Sequence, residues 1–94
     1  MDAFRDDDER LPGLDRLRKL IATGRRPPIE ETLDFTLTEV EEGRAVFEAR
    51  PGLPVYNYIG AVHGGYAATV LDSACGAAVH TRLTSGQSYT TVEL

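Results

Sequence analysis

The chain has 94 residues, 41% of them apolar, and a net charge of −5. That length suits one small domain and excludes two, and that apolar content excludes a disordered chain. With no lysine- or arginine-rich block, the acidic balance argues against nucleic-acid binding.

A lone cysteine, Cys75, excludes an intrachain disulfide and suits a reducing compartment. Residues 1–10 lack the basic start and apolar run of a signal peptide, so the expected location is cytoplasmic. Residues 66–79 are the longest small-and-apolar stretch. They are too few to span a bilayer and carry Asp72 in their middle, so no membrane association is expected. Residues 1–11, with the run Asp6-Asp7-Asp8-Glu9, read as a solvated acidic tail, and residues 12–94 as a single domain.

The first periodic segment is helical. Leu14, Leu17, Leu20 and Ile21 form one stripe, Pro12 stands near the first turn, and Gly24 follows the end, which predicts a helix over 12–23. Pro27-Pro28 then breaks the chain. Over 32–40 the period becomes two, with Leu33, Phe35 and Leu37 facing one way and Asp34, Thr36 and Thr38 the other. Glu41-Glu42-Gly43 supplies a turn. Over 44–50, Ala45, Phe47 and Ala49 alternate with Arg44, Val46 and Glu48, completing an antiparallel hairpin that Pro51-Gly52 and Pro54 end.

After a loop over 55–62, residues 63–83 read as an alanine-rich helix with Val70, Leu71 and Val79 around its circumference. A helix apolar nearly all round is expected to be buried nearly all round. Thr84-Ser85-Gly86 closes it, and residues 88–94 alternate as a new strand. A strand that stopped there would leave its backbone groups unpaired, so the domain is expected to continue past Leu94.

The chemistry concentrates in 57–72. Two glycines at a loop-to-helix junction, Gly64 and Gly65, leave N–H groups uncovered at the positive end of the helix dipole. Such groups stabilise a phosphate, or the negative charge that develops on a carbonyl oxygen during acyl transfer. Asp72 falls in an apolar helix, where an ionised carboxylate is costly without partners. Buried carboxylates of this kind often serve as bases or nucleophiles. His63 and Asp72 are nine positions apart, about 180° round a helix and about 13 Å along it. A single helix cannot aim both at one small substrate, so the spacing points to a site shared across a two-fold dimer.

Asn57, His63, Gly64, Gly65, Asp72 and Gly76, with Ser73-Ala74 between the last two, resemble the signature of hot-dog-fold acyl-CoA thioesterases of the phenylacetate-pathway type. The likeness covers about 33–94, including 89–94 as the strand after the central helix. It implies an α+β fold with an antiparallel sheet wrapped round the long helix, here lacking its last strands and most coenzyme A contacts. It also implies a homodimer, with pairing of dimers into a tetramer, two shared active sites and no cofactor beyond the coenzyme A of the substrate. Residue by residue, it implies that Gly64 N–H polarises the thioester carbonyl, while Asn57 and His63 orient the thioester or water. Asp72 of the second copy would be general base or nucleophile, assisted by a hydroxyl of Thr91 or Thr90. Gly65, Tyr66 and Thr90 would contact substrate.

Each residue also has a structural reading. Asp72 suits a hydrogen-bonded position at a dimer seam, and His63 a satisfied helix start. Gly64 and Gly65 suit close packing, and Asn57 a turn. Cys75 reads as a buried structural thiol, His80 as a surface residue favoured by the helix dipole, and Tyr56, Tyr58 and Tyr66 as acyl-pocket or interface residues. Two histidines seventeen residues apart make no metal site. The functional alternatives to hydrolysis are an acyl-CoA-binding module without catalysis, a hydratase or dehydratase, and an inactive fragment.

Overall fold

The structure, a computed structural model, describes residues 11–94. The acidic run Asp6–Glu9 lies outside the described residues. The architecture is α+β: helix α1 (Gly13–Thr23), helix α2 (Pro28–Leu33), strands β1 (Phe35–Glu41) and β2 (Arg44–Ala49), a short 3-10 turn (Leu53–Val55) and helix α3 (Gly64–His80).

The hairpin organises the core. β1 and β2 pair antiparallel with Phe35 opposite Ala49, Leu37 opposite Phe47 and Val40 opposite Ala45. Simple alternation would turn Val40 away from Leu37, yet both are buried. The register shifts between Leu37 and Glu39, so Thr38 is the extra residue of a bulge, which returns Val40 to the core face. Leu17 of α1, Leu37 and Val40 of β1, and Ala77 of α3 form the buried cluster, with Leu20, Ile21 and Phe47 packed against it. The rings of Phe35 and Phe47 meet at 5.8 Å and 55°, a tilted pair of the favoured kind.

The ends of the helices are tied together. Gly13 N–H donates to Leu83 O at 3.0 Å. A side chain at Gly13 would run into the backbone of His80, whose carbonyl carbon lies 2.9 Å from where a Cβ would sit. At the hairpin tip, Gly43 N–H donates to Thr81 Oγ1 at 2.7 Å, and that buried hydroxyl donates to Ala78 O at 2.6 Å.

Four sequence expectations are corrected. Residues 32 and 33 belong to α2 and not to a strand: Pro28 at a first helical position starts the helix, and Asp34 in the left-handed region (φ 54°) ends it. Residues 88–94 make no ladder. They run back along α3, with Tyr89 over Gly76 and Thr91 beside Asp72, and have no strand partner among the described residues. Nor is α3 buried nearly all round, since Ala67, Leu71, Cys75 and Val79 form an exposed stripe at four-residue spacing. A two-stranded sheet is about 10 Å wide, roughly one helix diameter, and so covers one side only. Cys75 is on that stripe and is therefore exposed, not a buried thiol.

Candidate functional site

The loop before α3 is built by Asn57. Its N–H donates to Ala61 O at 2.7 Å, and its Oδ1 accepts from Ile59 N–H at 3.0 Å and Ala61 N–H at 3.1 Å. The carbonyl end of this amide is thus committed to the turn, which leaves its NH₂ end as the donor it can offer. Gly60 (φ 83°) closes the loop, and His63 N–H donates to Val55 O at 2.8 Å.

His63 caps α3. Its Nδ1 accepts from Gly65 N–H at 2.8 Å, so a neutral ring carries its proton on Nε2, which points away from the helix end as a donor. The two glycines therefore differ. Gly65 N–H is occupied by the cap. Gly64 is exposed, and a Cβ there would meet nothing within 4 Å, so packing does not require a glycine at this position. Its N–H has no intrahelical partner to find.

Asp72 lies two turns on, half-buried, and its Oδ1 accepts from Thr91 Oγ1 at 2.8 Å. The structure thus brings together one pair that the sequence reading linked, Asp72 and Thr91. Thr90 is exposed and makes no side-chain hydrogen bond among the described residues. The segment carrying Thr91 is held by Tyr89, whose ring lies over Gly76: its Cζ is 2.7 Å from where a Cβ would stand. Only glycine admits the ring so close, which gives Gly76 a packing role beside Asp72. Burial, with the charge of Asp72 adding to it, pushes the Tyr89 phenol up, so it stays a neutral donor.

Tyr66 is buried and lines a shallow cavity of about 260 Å³ with His63, Gly65, Thr69 and Tyr56. Its hydroxyl has no hydrogen-bond partner among the described residues, a costly state for a buried polar group. Tyr58 is fully exposed, so of the three tyrosines only Tyr56 and Tyr66 reach this cavity.

His80 behaves otherwise than expected. His80 is half-buried with its ring 6.3 Å from that of Tyr89, and burial, then the charge of Arg16, lowers its pKa. It is a neutral packing residue and not a surface cation favoured by the dipole. Arg26 places Nη1 3.2 Å from Phe35 O and 3.1 Å from Thr36 Oγ1.

The group that sequence reading missed is Glu30. It is 7% exposed, and burial raises its pKa to about 7 against the lowering effects of a backbone hydrogen bond at Leu37 and of Arg26. The available signal was Pro28 as a helix starter, which would have placed an α2 turn, and Glu30 within it, against the hairpin.

Compared with family models, curated proteins and solved structures, the chain matches none of them. Among the described residues no helix is long and apolar enough to cross a membrane, and no group of three or more His, Cys, Asp or Glu is placed to hold a metal ion.

Proposed function

We propose that the protein hydrolyses acyl-CoA thioesters at a site shared between two copies of a hot-dog domain. The observation that carries this reading is the half-buried Asp72 carboxylate held by Thr91, on a helix whose first N–H, that of Gly64, is uncovered. In this mechanism Gly64 N–H donates to the thioester oxygen and stabilises the charge it gains as the carbonyl is attacked. His63 Nε2–H and the Asn57 NH₂ group orient the ester or the water. Asp72 takes a proton from the water as its oxygen bonds to the carbonyl carbon, the carbon–sulfur bond breaks, and Asp72 returns the proton to the departing sulfur, so that free acid and CoA thiol are released. Gly64 and Asp72 of one chain are about 12 Å apart along α3, so the carboxylate comes from the second copy.

The test uses two variants. Asp72→Ala removes the base. Gly64→Pro removes a single N–H while leaving a residue that is favoured at a first helical position, and the preceding His63 (φ −64°, ψ 133°) already has a backbone compatible with proline. Each alone loses most thiol release from acyl-CoA. Mixed and re-equilibrated, they regain about a quarter of wild-type activity, because half the dimers carry one intact site of two. Full activity of Asp72→Ala, or no regain in the mixture, rules the shared site out.

One observation favours a second reading, a binding module without catalysis. The Oδ1 of Asn57 and the Nδ1 of His63 are both spent on local structure. Binding of acyl-CoA without release of thiol across a range of acyl lengths would establish it.

A further inference from the structure

A cavity of about 270 Å³ lies between α1, the hairpin and α3. Its apolar walls come from three elements: Leu17, Leu20 and Ile21 of α1, Leu37 and Phe47 of the hairpin, and Ala77 of α3. The cavity adjoins the Asp72 site. Ser73, the next residue in the chain, lines it, and so does Tyr89, the residue whose phenol feels the Asp72 charge. An apolar cavity of about 150 Å³ takes up benzene. Nearly twice that volume accepts a ring with a short chain, or a linear chain of medium length.

We infer that this cavity houses the acyl chain of the thioester, so that the copy lending Asp72 also holds the acyl chain and α1 sets its length. The inference rests on the reading of Asp72 given above. Arg16, Arg25, Arg26, Glu30 and His80 also line the cavity. Glu30 is protonated over much of the range below pH 7, and Arg26 directs Nη1 to Phe35 O and Thr36 Oγ1. The remaining polar group near Asp72, the Tyr89 hydroxyl, stands where the apolar chain would give way to the thioester.

Thioether analogues, which cannot be hydrolysed, provide the test. The affinities of S-decyl-CoA and S-ethyl-CoA are measured by calorimetry on the full chain, beside turnover of the matching acyl-CoA series. In the wild-type protein affinity rises with chain length, by about fourfold for each methylene fully buried. Leu20→Trp fills the cavity and reduces the decyl-to-ethyl affinity ratio by about tenfold or more. Leu20→Ala, which enlarges the cavity, moves the preference to longer chains and covers the case in which the tryptophan variant does not fold. If hydrolysis occurs and neither variant alters the chain-length ratio, the acyl group lies elsewhere and this inference falls while the hydrolase reading stands. If no acyl-CoA is hydrolysed yet the ratio still collapses in Leu20→Trp, the hydrolase reading falls and the cavity keeps its acyl guest. Absence of both binding and hydrolysis overturns the two together.

Discussion

Replacing Glu30 by glutamine should make the protein more stable at pH 8 than at pH 5, relative to wild type. Glu30 is 7% exposed, and its pKa rises from the ordinary 4.5 to about 7, chiefly through burial. The folded state therefore binds a proton that the unfolded state releases between those values. A raised folded pKa contributes stability that is fully present below pH 4.5 and is lost as pH climbs through about 7. A difference of about 2.5 pH units, at 1.36 kcal/mol each, corresponds to about 3 kcal/mol. That is a large share of the roughly 5–15 kcal/mol by which a domain is stable. Glutamine keeps the size and hydrogen-bonding capacity of the protonated acid and does not ionise. Urea unfolding followed by circular dichroism, for both proteins at pH 5 and pH 8, gives the two differences directly. Expected is near equality at pH 5 and an advantage of about 3 kcal/mol for Glu30→Gln at pH 8. A difference between the proteins that is the same at both pH values would refute a buried, proton-binding Glu30.

Two further outcomes follow from the site. Tyr66→Phe removes a buried hydroxyl that has no partner, and should raise stability by about 1 kcal/mol, read as an increase in Tm. A loss of similar size would mean that the hydroxyl is bonded. Thr91→Val keeps the shape of the side chain but deprives Asp72 of its 2.8 Å donor, and should lower kcat by about tenfold with little change in stability. Unaltered turnover in a folded variant would remove Thr91 from the reaction.

Much of the fold was legible because its periods are plain. The leucine stripe of α1 and the alternation of Phe35 and Leu37 against Phe47 and Ala49 lie where they were read. Alternation alone does not reveal a bulge, and so the side taken by Val40 depended on Thr38 being skipped in the pairing. The proline pair illustrates a different ambiguity: it ends one element and begins another, and only the hairpin packed beneath α2 decides between a break and a start. Residues 88–94 have a strand's alternation, but a ladder needs a second strand, and local sequence does not say where that strand is. In the site, a hydroxyl beside Asp72 was expected only through the resemblance, which left Thr91 and Thr90 open, and it is Thr91 that bonds the carboxylate. Asn57 and His63 each had a turn or cap reading beside a catalytic one, and one polar atom of each is engaged locally, Asn57 Oδ1 in the turn and His63 Nδ1 in the cap. Cys75 and His80 exchanged their expected environments, since the side of α3 that the hairpin and α1 cover depends on tertiary packing.

The anchoring of α3 is unequal along its length. The residues just after its end are fastened from two directions, Thr81 by the hairpin tip and Leu83 by the start of α1. Its first turn is joined to the rest by the buried Tyr66 ring and by the hydrogen bond from His63 N–H to Val55 O. One rigid rod thus has a moored end and a lightly held end. Local unfolding of α3 should therefore begin at the end where Gly64 presents its N–H, before the leucine and valine packing is disturbed.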